Sequence, residues 1–500
     1  MFVIVILLGF VTYFFLRLWI KRRKLPPGPF PLPLLGNVHQ IGYKLLIEKK
    51  TFVDALRDWA EEYGPVHTFW FGPLPTVNIC NYSTAVDAMV KQGSNFASRT
   101  IPYLFNLMRK GRGIVVTNGQ HWVEQRRFAL HTLRNFGLGR NIIEERIMYE
   151  FEIACEKLDK RLEKEGKSID AHENLELLIG NIINRMLFTE RFEKKEEEKF
   201  FSLKKEMDAM MEDTSLFDML IDEWNVNWPF IKQRTANLMK PLNSVLDFIR
   251  SQVNERKHAI ANGTHVLQGE GDDFVDAFLI QMKKDRESGV ATSFDDETLL
   301  MSLLDLWFAG QETTITTLEW AFTFLLLNPQ VISRVEEELL AVTKGRRPLS
   351  IADRPNTPFY NASLTEIHRC AILLPMNLWR DTSEDTRVGS YLIPKGTAIT
   401  AQISLIMTDE KHFKNRDEFN PDRYFNGNRL EQRVVAFGLG KRSCLGESLA
   451  QAELYLVIAN FLLRYKISAD PLHMPSMKAT REMGTVRRPR PYHICFERRQ

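Results

Sequence analysis

Phe437-Gly438-Leu439-Gly440-Lys441-Arg442-Ser443-Cys444-Leu445-Gly446 places one cysteine between glycines, two residues after an arginine and just ahead of a periodic segment. A thiolate that binds a metal needs nearby positive charge and backbone N–H groups to hold it deprotonated. Gly440 and Gly446 are placed to let the backbone approach the sulfur, and Arg442 is a fixed cation for an anionic group. Beyond Cys444, the residues Leu449, Ala452, Leu456, Ala459 and Leu463 alternate spacings of three and four. That spacing predicts a helix whose positive dipole end faces the sulfur. The alternative is a glycine-rich turn before a core helix, with Cys444 a small buried hydrophobe. Five specified positions at roughly 1-in-20 usage make a chance match on the order of 1 in 10,000 in a chain this long. The thiolate reading is preferred.

The segment resembles the haem-binding loop of the cytochrome P-450 family, the haem-thiolate monooxygenases. The resemblance implies a mainly α fold with a smaller β region (α+β) and haem b as cofactor. It makes Cys444 the axial iron ligand, with Phe437, Gly438, Arg442 and Gly446 lining the cofactor. The remainder of the chain is consistent with it.

Composition narrows the function classes. With 500 residues, 44% of them hydrophobic, the chain can bury a large core, and no low-complexity linker divides it. A net charge of +3 argues against a nucleic-acid protein. Five scattered cysteines, with no CxxC pair among Cys80, Cys155, Cys370 and Cys495, suggest reduced thiols rather than a disulfide framework.

The segment from Phe2 to Leu16 carries no charge, and Arg17-Leu18-Trp19-Ile20 continues it to the basic cluster Lys21-Arg22-Arg23-Lys24. Its length approaches the ~20 residues that span a bilayer. Basic residues on its C-terminal flank keep that side in the cytosol, which a cleaved signal peptide would not show. The expected organisation is an anchor and basic stop at 1–24, a hinge at 25–37 and one catalytic domain at 38–500, with the domain facing the cytosol from the endoplasmic reticulum membrane. Pro26-Pro27-Gly28-Pro29-Phe30-Pro31-Leu32-Pro33 reads as a stiff spacer and resembles the proline hinge of microsomal members. Sequons at Asn81, Asn262 and Asn361 would stay unmodified in that topology. Val66–Cys80 reads as a hairpin, 390–406 as a second one, and the charged run 190–199 as a solvated helix or loop.

A second motif, Ala309-Gly310-Gln311-Glu312-Thr313-Thr314, lies in a long apolar segment framed by acids at 295–297 and by Asn328-Pro329. These frames predict a helix of roughly 30 residues, about 45–50 Å long. Gly310 should weaken the helix by ~1 kcal/mol relative to alanine. Thr313 is placed to bond back to the Ala309 carbonyl, which would leave a notch for a diatomic ligand and water. Glu312 and Thr313 then read as an acid–alcohol pair that passes protons. Alone, this pattern is more often a packing or kink site. Beside the cysteine loop it resembles the family's oxygen-activation segment, with Ala309 and Gly310 against the cofactor and Thr313 assisting O–O cleavage.

Glu366 and Arg369 stand three apart on one helical face. They resemble the family's ExxR element, which with Arg423 implies a buried network supporting the cysteine loop. Trp122 and Arg126 match the WxxxR element. By motif, Trp122, Arg126, Arg442, Arg99 and Arg380 are expected at the haem propionates, although close relatives often carry histidine where Arg380 stands. Arg126, Arg127, Arg134 and Lys441 are candidates for a basic face that docks an acidic flavoprotein reductase.

The resemblance runs from about Pro26 to the C-terminus, closest in flavour to animal microsomal members that oxidise drugs and fatty acids. Gly111–Val115 and Thr132–Gly137 carry that flavour. It implies insertion of one oxygen atom of O2 into a lipophilic small molecule (a xenobiotic, fatty acid or steroid-like compound). Electrons would come from NADPH through the reductase, with cytochrome b5 as a second candidate donor. Two rivals are an isomerase or peroxide-using enzyme on the same fold, and a non-catalytic haem or lipid binder. Family topology puts residues near 101–114, 207–230, the Ala309 turn and Pro375-Met376 around the pocket. Phe105, Met108, Phe217 and Leu220 are candidate contacts, and Trp224, Trp228 and Phe230 are candidates for the membrane surface.

Overall fold

The computed structural model describes residues 2–499 apart from 136–140, 171, 216–217, 219 and 481–485, and the side chains of 2–8, 10–11 and 141 are likewise left aside. Phe217 and the end of the Thr132–Gly137 stretch therefore fall outside the described residues.

The chain is mainly helical with three small sheets, as expected. The central element is the helix Asp296–Leu327, 32 residues long. Asp295 caps it by accepting a hydrogen bond from the Thr298 amide at 2.6 Å, and Asn328 ends it ahead of Pro329. Nearly every turn from Thr298 to Leu326 is buried. The helix therefore crosses the interior and shows no one-sided apolar stripe. Around it the largest apolar cluster joins the helices Asn141–Glu165, His172–Phe188, Pro229–Ala261, Phe274–Ser288 and Glu447–Arg464. The last of these is the helix predicted after Cys444, and it too is buried on almost all sides.

The hairpin near residue 70 forms as read, from β1 (Val66–Phe71) and β2 (Leu74–Ile79). β3 (Ser168–Ile169) belongs to a separate sheet described below. The expected second hairpin at 390–406 forms differently. After β4 (Arg380–Asp381), β5 (Thr386–Val388) and β6 (Tyr391–Ile393) pair around Gly389, whose φ is +57°. β7 (Ala398–Ala401) then leaves them and pairs parallel with β2, giving the order β1-β2-β7-β4. All four β7 residues are buried. A strand covered on both faces carries no alternation that would reveal its partner. β8 (Tyr465–Ala469) and β9 (Ile494–Arg498) complete the third sheet, ordered β3-β9-β8.

A helix covers Phe2–Arg22 and ends on Lys21 and Arg22. Most of the apolar side chains expected in the anchor lie outside the described residues, and among those described no helix is long and apolar enough to cross a membrane. The proline-rich stretch is not a free spacer. The Thr68 amide donates to the Pro27 carbonyl at 2.8 Å, and a Cβ on Gly28 would lie 1.7 Å from the Thr68 carbonyl oxygen. Proline lacks a donor but keeps its acceptor, so the stretch docks along the open edge of β1. The charged run at 190–199 is irregular up to a turn at 194–196 and then enters the helix Glu197–Asp213.

Candidate active site

Arg442 leads from the cysteine loop to the site. Cys444 closes that loop by donating its amide to the Phe437 carbonyl at 2.8 Å. Gly440 has φ +70°, and a Cβ there would lie 1.7 Å from the Met89 carbonyl oxygen. This glycine is therefore required by contact with the 87–91 turn, not by approach to the sulfur. Gly446 precedes the helix that begins at Glu447. Cys444 opens into a cavity enclosing about 1810 Å³ of non-atom space, mouth included. Its thiol is pushed above its ordinary pKa by desolvation and by Glu447, against the Gly446 amide and Arg126. A bound cation reverses that balance.

The same cavity is bordered by Arg99, Trp122 and Arg126, by Ala309, Gly310 and Thr313, and by Phe437, Gly438, Arg442 and Gly446. Arg380 stands behind the wall, buried, donating to the Leu439 carbonyl at 2.6 Å. Arg126 holds the Ser443 carbonyl at 2.8 Å. Arg442 lies 3.8 Å over the Trp122 ring and donates to the carbonyls of Ala97 and Thr117, each at 2.5 Å.

These arginines provide the fit test for a cofactor. Burial first, and then mutual repulsion, depresses Arg99 to about 10, Arg380 to about 9 and Arg442 to about 8. Among the described residues, no carboxylate forms an ion pair with any of these three or with Arg126. Arg99 Nε and Arg442 Nη1 are buried without a hydrogen-bond partner. Guanidinium groups do not give up their proton in proteins. Four converging cations beside a cysteine therefore fit a ligand carrying two carboxylates and a metal, as haem does.

The long helix supplies the neighbouring wall. Thr313 donates to the Ala309 carbonyl at 2.7 Å, as read from the sequence. A Cβ on Gly310 would meet Ile183 Cδ1 at 2.7 Å, so the small residue admits both the cavity and the neighbouring helix. Glu312 departs from expectation. It is buried, does not border the cavity, and accepts from Lys204 at 3.0 Å and Arg488 at 2.8 Å. Burial alone would raise its carboxyl, but Lys204 and Arg488 bring it down to about 2. A helical residue next to Thr313 points some 100° away from it, which separates the expected acid–alcohol pair.

Glu366, Arg369 and Arg423 do come together. Arg369 grips Glu366 with two bonds of 2.8 Å, and Arg423 donates to the same carboxylate at 2.9 Å. Tyr424 adds a hydroxyl at 2.8 Å, and the guanidiniums also reach the carbonyls of Lys414, Arg416 and Glu418. This ties the helix Pro358–Ala371 to the loop that leads to Cys444.

Several site residues escaped the sequence reading. Asp305 borders the cavity, pairs with Arg109 at 3.0 Å and accepts the amides of Ile114 and Val115. His368 is kept neutral, its pKa lowered to about 4 by burial. Glu453 accepts from Thr314 at 3.2 Å, its other oxygen is buried unbonded, and burial pushes its carboxyl up to about 8. Conversely, of the expected pocket segments only Ile114 and the Ala309 turn border the cavity among the described residues. Phe105 and Met108 do not reach it, Leu220 packs on Gly72, and Met376 packs in the Trp379 cluster.

Glu453 gives a pH prediction. Its folded pKa, about 8, exceeds the ordinary 4.5. The stability tied to its neutral form is complete below 4.5 and is lost as pH rises through 8. Glu453→Gln should flatten the fall in thermal midpoint between those values, worth up to about 1.4 kcal/mol per pH unit. Thermal melts of both proteins across that range check this.

Comparison with known proteins agrees with the geometry. The cytochrome P-450 family profile matches residues 26–496. A probable cytochrome P-450 of Caenorhabditis elegans, cyp-35D1, is 37% identical over 471 residues, covering 93% of this chain and 94% of its own. Cytochrome P-450 2C23 of Rattus norvegicus is 32% identical over 96% of this chain and 95% of its own. Cytochrome P-450 2C8 of Homo sapiens is 34% identical over 99% and 98%. A cysteine and an unpaired arginine cluster facing one cavity, in a chain aligned with these proteins over 93–99% of its length, place it in the cytochrome P-450 family of haem monooxygenases.

Proposed function

We propose that the chain inserts one oxygen atom of O2 into a lipophilic small molecule, drawing electrons from NADPH through a flavoprotein reductase. The observation that carries this reading is the convergence of Cys444, Thr313 and three arginines without acid partners (Arg99, Arg126 and Arg442) on a single cavity, with Arg380 buried just behind its wall. Cys444 would hold the iron of haem b, while Arg99, Trp122, Arg126, Arg380 and Arg442 would hold its propionates. When bound, the haem supplies the oxygen activation.

The chain's own residues have distinct tasks in this reading. Thr313 keeps its hydroxyl on the cavity side of the helix, anchored to the Ala309 carbonyl, where Oγ1 holds a proton for delivery. Glu312 is assigned a structural task, since Lys204 and Arg488 hold its carboxylate. Glu366, Arg369 and Arg423 position the cysteine loop. The wall is otherwise chiefly apolar, including Ile114, Leu306, Leu373 and Leu374, which suits a lipophilic substrate. Residues 1–24 would anchor the protein in the endoplasmic reticulum membrane, 25–37 connect, and 38–500 catalyse. Trp224, Trp228 and Phe230, exposed by 65%, 53% and 91%, support contact with the membrane surface.

Two experiments test this. Product formation from a panel of lipophiles should require NADPH and reductase together; product formed equally with peroxide alone would favour the isomerase or peroxide-using alternative. Thr313→Ala should lower product by about 100-fold or more, within the 10²–10⁴ scale of proton-transfer catalysis, while released peroxide rises. Equal coupling in both proteins would remove Thr313 from the mechanism. Arg127 and Arg134 are exposed, and their joint replacement by alanine should slow haem reduction and flatten its salt dependence. Stopped-flow reduction over a salt series measures this.

A further inference from the structure

Away from the cavity, the sheet β3-β9-β8 brings metal-ligating side chains to one end. The ladder pairs Ala469 with Ile494 and Ile169 with Ile494, so the residues just outside it, Asp470 and His493, are juxtaposed. A turn after β8 returns His473 to the same point, where the His493 amide donates to the His473 carbonyl at 3.1 Å. Asp470 Oδ2 lies 2.8 Å from His473 Nδ1 and 3.9 Å from His493 Nδ1. All three donor atoms fall within 4.8 Å of one another.

We infer that Asp470, His473 and His493 form a binding site for a borderline-soft divalent cation such as Zn2+. Two imidazole nitrogens and one carboxylate oxygen are donors suited to zinc or copper, whereas calcium and magnesium take oxygen ligands. With metal–ligand distances near 2.0–2.1 Å, a tetrahedral edge is about 3.3 Å. The observed spacings of 2.8 and 3.9 Å bracket that value. The imidazole rings stack at 4.0 Å, so they must splay for both lone pairs to reach one ion. His473, whose side chain is 53% exposed, has room to turn.

The surroundings hold the carboxylate in place. The Leu472 amide donates to Asp470 Oδ1 at 3.0 Å, leaving Oδ2 toward the histidines. The Ser168 hydroxyl, on β3, lies 2.7 Å from Oδ2 and 3.1 Å from His493 Nδ1. It bonds the same donor atoms in the metal-free site and yields them when the ion binds. The ion would clamp the end of β8 to the start of β9.

A second cluster, His172, Glu176 and Asp208, shows what excludes a metal. Burial pulls His172 down, but Glu176 and Glu319 push it up to about 11, so its ring is a cation. Lys204 and Arg488 already occupy the neighbouring carboxylates.

The test uses the haem-loaded protein, freed of metals by a chelator and dialysed against micromolar Zn2+, with zinc and iron measured together. One zinc per chain is expected. His473→Ala and His493→Ala should each weaken binding by about 10-fold or more, with iron content and the carbon monoxide spectrum unchanged. His131→Ala serves as the control and should bind as the unaltered protein does. Failure of the unaltered protein to retain zinc, or retention by His473→Ala and His493→Ala equal to it, overturns the proposal. Should a variant lose iron, Cu2+ paramagnetic resonance of the unaltered protein decides. Coupling to two nitrogens supports the site, and its absence refutes it.

Discussion

Glu366→Gln should yield little or no haem-loaded protein. Glu366 is completely buried and balances two buried guanidiniums, Arg369 and Arg423. Burial would raise its carboxyl, yet Arg369 above all holds it below its ordinary value, so it is charged in the folded state. Glutamine keeps the shape but removes the charge, leaving two cations without a counterion in the interior. Breaking a buried pair by removing one partner costs about 3–5 kcal/mol, against a total stability on the order of 5–15 kcal/mol. Tyr424→Phe removes only one hydrogen bond to the same carboxylate and should cost about 1–2 kcal/mol. The ratio of haem absorbance to protein in the two preparations separates them. A normal ratio for Glu366→Gln would show that the network does not support the cysteine loop.

That network also shows how far the sequence could be read. The three-residue spacing of Glu366 and Arg369 predicts a shared face, and they do share one. Nothing local indicated that Tyr424 or the carbonyls of 414–418 would close around them, because those partners arrive through chain folding. The long helix behaves the same way. Its limits and the Thr313–Ala309 bond follow from capping acids, proline and i−4 spacing. The partners of Glu312 are 108 and 176 residues away, and their approach depends on how helices cross. Local chemistry therefore suggested a proton relay where tertiary contacts built an ion cluster.

Glycine and burial mislead in related ways. Gly440 was assigned to the sulfur because of its nearness in sequence, whereas Met89 is the atom set it must admit. Glu453 carries no sequence signal, since its raised carboxyl comes from full burial, which periodicity does not report. β7 hid its partner for the same reason. The cysteine loop was legible because its chemistry is local. Glycines, cation, sulfur and helix start occur within eleven residues, from Phe437 to Glu447.

Cys444→Ser has the other large expected effect. Cys444 is the cysteine that borders the cavity, whereas Cys80 and Cys155 are buried in apolar clusters with their thiols pushed far up by desolvation. Among the described residues no other cysteine borders the cavity. Serine matches its size but is a hard, weakly acidic donor, so on the proposed assignment it would not supply the thiolate donation that haem chemistry of this kind needs. Product turnover should fall below detection even where some haem is retained by the arginines. The decisive measurement is the reduced carbon monoxide difference spectrum of the unaltered and Cys444→Ser proteins, purified side by side. The unaltered protein should show the red-shifted band of thiolate ligation and the variant should lack it. An identical band in both would contradict the assignment of iron to this sulfur.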